Sequence, residues 1–279
     1  MRKAFTLVAT GVATALALTA CGGSDSAPSA VESLDPANPV TLTVGASPTP
    51  QARILEFVAD NLAADSGLEL EIKEFDDYTT PNIALDDGSI DANYFQHLPY
   101  LEAQTQDQGY DFEHGEGIHI EPYAAFSDKH EQMSDIGDGA RIAITNDPSN
   151  QARALMLLEE AGLLEDVSEE DSVLNPTDEQ NPKDLEFVEN QAELLVNDLS
   201  DPTVDLAIIN GNYILAAELN TDDALLVESV DASPYANMLV WKAGAKDARI
   251  DKLEEMLHSD EVRTFIEETW PNGDVTAAF

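Results

Sequence analysis

In Asn146-Asp147-Pro148-Ser149-Asn150-Gln151-Ala152-Arg153, a guanidinium stands three residues beyond a carboxamide at what reads as the opening of a helix. Pro148 suits a first helical position, and Asp147 or Ser149 can cap it. The free amide N–H groups and the positive end of the helix dipole then face the preceding loop. Asn150 and Arg153 project from one face of the first turn, and a guanidinium can hold a carboxylate by two parallel hydrogen bonds. That chemistry is anion capture; the plainer alternative is a surface Arg paired with one of the chain's many carboxylates.

A second group combines Tyr78 with Phe95, His97 and Tyr100. The hexapeptide Phe95-Gln96-His97-Leu98-Pro99-Tyr100 gathers three rings in a chain that is only 6% Phe, Trp and Tyr. Aromatic walls with polar tips suit an uncharged, polarizable side chain such as a thioether, although core packing uses the same residues. A third pair, Asn210 and Asn237, offers amide oxygens that can accept from an ammonium group, or simply occupies two turns.

Catalytic signatures are absent. There is no G-x-x-x-x-G-K-[ST], no G-x-S-x-G and no H-E-x-x-H. His114 and His119 flank Glu116, but two histidines five apart with no third placed ligand are a solvated loop more readily than a metal centre. With 55 Asp and Glu residues, any two carboxylates resemble an acid–base pair, so their presence carries no information. We expect no enzyme, no cofactor and no metal.

These residues need positioning elements, which the hydrophobic pattern supplies. Val40 to Val44 alternates like a strand, Gly45 to Pro50 is a loop, and Ile54, Phe57, Val58 and Leu62 recur at helical spacing up to a stop at Gly67. Leu68, Leu70 and Ile72 alternate with charged residues and complete a β-α-β unit. The same grammar returns at 141–163 and at 204–219, and Ile250, Leu253 and Leu257, then Phe265 and Ile266, mark a closing pair of helices. Strands alternating with helices predict an α/β protein with largely parallel sheets, whose ligand sites lie outside the carboxyl ends of strands.

The chain has 279 residues, 43% of them hydrophobic, enough for one or two cores. Its 13 Lys and Arg face 55 Asp and Glu, a net charge of −42, and such a field repels phosphate backbones, which excludes nucleic acid as a partner. The single cysteine forms no intrachain disulfide. Met1-Arg2-Lys3 followed by the small and apolar run 4–17 reads as an export signal, too short for a spanning helix. The signal ends Leu18-Thr19-Ala20-Cys21-Gly22, which resembles a bacterial lipobox. The resemblance implies cleavage before Cys21, attachment of lipid to its sulfur and a cell-membrane location on the extracytoplasmic side. Residues 22–38, rich in Gly, Ser, Ala, Pro and Asp, read as a flexible tether reaching ~20–25 Å.

Phe75-Asp76-Asp77-Tyr78, then Pro81-Asn82, then Gly88-Ser89-Ile90-Asp91-Ala92-Asn93-Tyr94-Phe95-Gln96-His97-Leu98-Pro99-Tyr100 resemble the most characteristic block of the NlpA lipoprotein family, the methionine-binding proteins of ABC importers. Asn146 to Asn150 with Arg153, Ile209-Asn210 and Ser233-Pro234-Tyr235-Ala236-Asn237 resemble further blocks in the same order, and the resemblance covers about residues 40–279. It implies a two-lobed, periplasmic-binding-protein-like (type II) fold with the ligand between the lobes. By the same resemblance, Arg153 with Asn150 holds a ligand carboxylate, Asn210 and Asn237 bind chiefly the ammonium group, and Tyr78, Phe95, His97 and Tyr100 surround a thioether. The run Asn190-Gln191-Ala192-Glu193-Leu194-Leu195-Val196 lacks the Pro-Arg that the family often shows there, and the tail from Asn272 is a looser match.

The expected organisation is a signal peptide at 1–20, a lipidated tether at 21–39, lobe one at 40–123 plus 229–279, and lobe two at 124–228. Crossover strands near Pro122 to Ala125 and Ser229 to Ser233 would form the hinge. The expected partners are L-methionine or a close analogue, an ABC permease with its ATPase subunits, and the membrane through the lipid. A zwitterion has no net charge for the acidic field to repel. A binder of another amino acid or of a short methionine-containing peptide, and a cation-binding surface lipoprotein, are the alternatives.

Overall fold

The computed structural model describes residues 30–168, 171–173, 176–231 and 233–279. The expected signal peptide, Cys21 and the first part of the tether lie outside them. The chain first lays down β1 (Val40–Ala46), α1 (Arg53–Val58) within a longer helical stretch, β2 (Leu68–Glu74), α2 (Thr80–Asp87), β3 (Ala92–His97), α3 (Leu98–Gln108) and β4 (Phe112–Ile120). It then builds β5 (Ala124–Phe126), β6 (Arg141–Thr145), α4 (Pro148–Glu160), β7 (Glu186–Asn190), α5 (Leu195–Asp198), β8 (Leu206–Ile209), α6 (Gly211–Ala216) and β9 (Leu226–Val227). It returns with β10 (Asn237–Lys242), α7 (Ala248–Leu257), α8 (Asp260–Thr269) and β11 (Thr276–Ala277).

Two sheets result, in the orders β11-β4-β10-β3-β1-β2 and β7-β6-β8-β5-β9. The β-α-β unit expected from Val40 onward is present: β1 pairs in parallel with β2 and with β3, and β6 likewise with β7 and β8. The sheets are mixed rather than largely parallel, because β10 runs antiparallel to β3 and β4, and β5 antiparallel to β8 and β9. These are the strands with which the chain begins each sheet anew after changing over, so they enter against their neighbours. Hydrophobic alternation reports which face of a strand is buried and carries no signal for its direction.

Each sheet has its own core. Leu42, Val44 and Leu239 pack with Ile54, Leu253, Leu257 and Ile266 from α1, α7 and α8. Ile142, Ile144 and Ile208 pack with Leu155 and Leu158 from α4, while Ala207 and Ile209 face Leu195 and Ile214. The expected tether ends earlier than the composition implied. Val31 exchanges hydrogen bonds with Asp247 and Ala248 at the start of α7, and Leu34 packs against the first core. One apolar residue in a polar stretch is enough when a ready-made surface receives it, so Val31 and Leu34 hold this stretch to the first sheet's unit.

Candidate ligand-binding site

The site is assembled at the carboxyl ends of strands. β1 leads to Gln51, β3 ends at His97, β6 is followed by Asn150 and Arg153 in the first turns of α4, and β8 is followed by Asn210. All eight residues expected from the sequence (Tyr78, Phe95, His97, Tyr100, Asn150, Arg153, Asn210 and Asn237) line one cavity. Both sheets contribute, so the cavity lies between them.

The aromatic residues form one wall. The Tyr78, Phe95 and Tyr100 rings stand 5.8–6.1 Å apart in tilted and edge contacts, and Tyr100 OH donates to the Tyr78 carbonyl at 2.8 Å. His97 caps α3: its Nδ1 accepts from the Tyr100 N–H at 3.2 Å, while Nε2 lies 3.0 Å from Asn150 Oδ1. Burial, and then the nearby Arg153 charge, push the His97 pKa down to about 3. The ring is therefore neutral with its proton on Nε2, donating to Asn150. Burial likewise pushes the Tyr78 and Tyr100 phenols up, so the wall carries no charge.

Arg153 is 5% exposed and lies between two rings, its guanidinium carbon 4.2 Å from the Tyr123 centroid and 4.3 Å from that of Tyr235. Its fork is engaged within the protein. Nε donates to Glu228 Oε1 at 2.8 Å, and Nη2 donates to Glu228 Oε2 at 2.5 Å and to the Glu121 carbonyl at 2.9 Å. Burial alone would lower the Arg153 pKa, but the Glu228 hydrogen bonds and charge hold it above its ordinary value. Nη1 is the guanidinium nitrogen that Glu228 and the Glu121 carbonyl do not engage. Asp147, not Ser149, caps α4, accepting from the Asn150 N–H at 3.0 Å. Burial raises its pKa, an effect partly offset by hydrogen bonds from Asn150, Thr145 and Ser149.

Three buried polar atoms of the cavity lining have no hydrogen-bond partner: Gln51 Oε1, Tyr123 OH and Asn210 Oδ1. A buried polar group left unpaired costs about 1–3 kcal/mol, so three in one cavity point to a ligand with matching groups. Gln51, Glu121, Tyr123 and Asn212 also line it, and sequence reading missed all four. Gln51 belongs to no spaced pattern, and Glu121 is one of 55 acidic residues. A usable signal was Gly211: a Cβ there would stand 2.5 Å from Glu121 Cβ and 3.0 Å from the Pro122 carbonyl oxygen, so the Asn210 turn presses on the crossover. The two histidines considered as a metal pair part company. His119 is buried between Tyr94 and Glu121, and exposed His114 bonds to the Gly115 carbonyl.

Comparison with known proteins bears directly on this arrangement. The family model described as NlpA lipoprotein matches residues 42–279. The methionine-binding lipoprotein MetQ of Bacillus subtilis (strain 168) is 36% identical over 259 residues, covering 91% of this chain and 91% of that protein. A periplasmic substrate-binding protein of an ABC transporter from Coxiella burnetii superimposes with a TM-score of 0.78 at 38% identity, covering 85% of this chain and 100% of that one. A nutrient binding protein from Burkholderia cenocepacia, solved bound to methionine, gives 0.77 at 36% identity, covering 85% and 100%.

Proposed function

The chain belongs to the NlpA lipoprotein family, and from that membership we propose that it is an extracytoplasmic lipoprotein that binds methionine and delivers it to an ABC import permease with its ATPase subunits. The observation that carries the reading is the mixed polar and aromatic lining of this cavity. It is lined by a guanidinium, by the Tyr123 hydroxyl and amide oxygens that lack donors, and by the uncharged rings of Tyr78, Phe95, His97 and Tyr100. A zwitterionic head and a thioether tail match that lining. Arg153 Nη1 and Asn150 hold the carboxylate, Asn210 accepts from the ammonium group, and the aromatic wall receives the side chain.

The two sheets are the lobes, joined at 121–123 and 228–236, where Tyr123 N–H donates to Glu228 Oε2 at 3.0 Å and Glu228 N–H to the Tyr123 carbonyl at 2.8 Å. Opening is hinge motion about these strands, and ligand bound to both lobes favours the closed form, which a permease can distinguish from the empty one. Lipid on Cys21 keeps the receptor at the membrane.

Calorimetric titration with a panel of amino acids tests the reading. Methionine binds best, norleucine nearly as well, and leucine is weaker by roughly 1–3 kcal/mol because its branch meets the ring wall. Glutamate and lysine do not bind, since each buries an unpaired charge. Both ring nitrogens of His97 are engaged, so glutamine gains no bond from it. If glutamine outcompetes methionine, the receptor takes another amino acid.

A further inference from the structure

Three buried carboxamides join the two segments that carry the aromatic wall. Asn82 and Asn93 are 0% exposed and Gln96 is 2% exposed, and they bond to one another in a ring. Asn82 Nδ2 donates to Gln96 Oε1 at 3.1 Å, while Gln96 Nε2 donates back to Asn82 Oδ1 at 2.8 Å and to Asn93 Oδ1 at 2.9 Å. Asn93 Nδ2 closes the ring on Asn82 Oδ1 at 2.9 Å and faces the Pro81 carbonyl at 3.5 Å. Turning any one amide alone would set oxygen against oxygen and N–H against N–H, so each fixes the direction of the others. Asn93 and Gln96 are three residues apart and would point to opposite faces of a regular strand. They share one ring because β3 bulges between them: Gln96 faces Met238 of β10, Tyr94 faces the next residue, Leu239, and Phe95 is left as the extra residue.

Apolar contacts of Ala84 and Leu85 with Leu101, Met238 and Val240 hold α2 against the sheet, but such contacts are non-directional and do not set its register. The amide ring is directional, and it acts where the wall is built. α2 begins directly after the loop bearing Tyr78, and Gln96 stands between Phe95 and His97 and itself lines the cavity. We propose that Asn82 and Asn93 are positioning residues that, with Gln96, hold the Phe95 bulge and the Tyr78 loop in register and so set the shape of the aromatic slot that receives the ligand's side chain. This rests on the methionine-binding reading above. Loss of the ring acts on the contacts of the side chain and spares those of the head group, since Arg153 and Asn210 belong to the second sheet's unit.

The test uses the detergent-solubilised full chain, titrated with L-methionine and with L-2-aminobutyrate, which carries the same head group on an ethyl side chain too short to fill the slot. Asn82→Ala removes three of the four bonds within the ring. It weakens methionine about 10-fold and aminobutyrate less than about threefold, compressing the ratio between them. Methionine labelled with 13C at its methyl group supplies a second readout. In the wild-type protein the surrounding rings shift the bound methyl resonance upfield, and in Asn82→Ala it moves back towards its free position. Asn93→Ser, which removes two of the four bonds, gives the same changes to a smaller extent and carries the test where Asn82→Ala does not fold. Equal losses for the two ligands, an unmoved methyl resonance, or failure of both variants to fold would assign the ring to fold stability alone and overturn the proposal, with methionine binding by the wild-type protein left in place. A wild-type protein that binds no methionine would overturn the underlying reading and this one with it.

Discussion

Arg153 lies against two aromatic rings with its fork on Glu228, and this changes what a substitution there does. Arg153→Ala removes a ligand contact and also strands Glu228, which is only 13% exposed. Breaking one side of a buried pair costs about 3–5 kcal/mol, so both folding stability and methionine affinity should fall. Arg153→Lys should restore part of each, since an ammonium cannot make the planar fork. Denaturant titration showing wild-type stability in the Ala variant would refute the pair. His97 gives a pH signature. Its pKa is about 3 in the fold against an ordinary value of about 6.5, so between these limits the unfolded chain carries the extra proton. Stability is therefore lost as pH falls from about 6.5 towards 3, by about 1.4 kcal/mol per pH unit from this group. His97→Gln should flatten the acid side of the stability profile by that slope, and identical profiles would contradict the neutral, buried ring. Arg153 and His97 were legible because rare residue types stood at marked places. Gln51 and Glu121 were not, because their significance lies in contacts to residues 70 and 186 positions away.

Helices and strands were legible where burial is one-sided. β1, β2, α4 and the closing pair α7 and α8 all follow from spacing. β3 does not, because every residue from Ala92 to His97 is buried and no alternation survives; the aromatic cluster was therefore visible without the strand-to-helix junction that presents it. The contacts between α6 and the Tyr78 loop could not be foreseen either, since they join opposite sheets. Tyr78 OH donates to Asn212 Oδ1 at 2.5 Å, Tyr213 OH donates to the Asp76 carbonyl at 3.0 Å, and the two rings stand 5.2 Å apart. They tie α6 of the second sheet's unit to the Tyr78 loop of the first. Tyr78→Phe keeps the wall and removes one fastening, a loss of about 0.5–1.5 kcal/mol. Methionine should dissociate faster and bind roughly 2- to 13-fold more weakly, which stopped-flow release can measure. An unchanged release rate would mean that the hydroxyl contributes nothing to closure.

At the scale of the whole molecule, the charge of −42 makes the folded chain repel itself, and added salt screens that repulsion. The melting temperature should rise from low to molar sodium chloride; a flat or falling profile would show that the carboxylates are spread too widely to matter. Cys21→Ser should move the protein from the detergent phase to the aqueous phase on partitioning, and retention in the detergent phase would remove the lipid from the account. The charge was legible in composition, the expectation of lipid rests on one N-terminal motif, and neither bears on what the cavity holds. The most direct test of that is a native mass spectrum of the freshly purified, ligand-loaded chain, recorded before and after exchange against unfolding and refolding in amino-acid-free buffer. The account predicts a mass increment of one methionine per chain that disappears on refolding and returns when methionine is added. An increment matching a different molecule, or none after methionine is supplied, would contradict it.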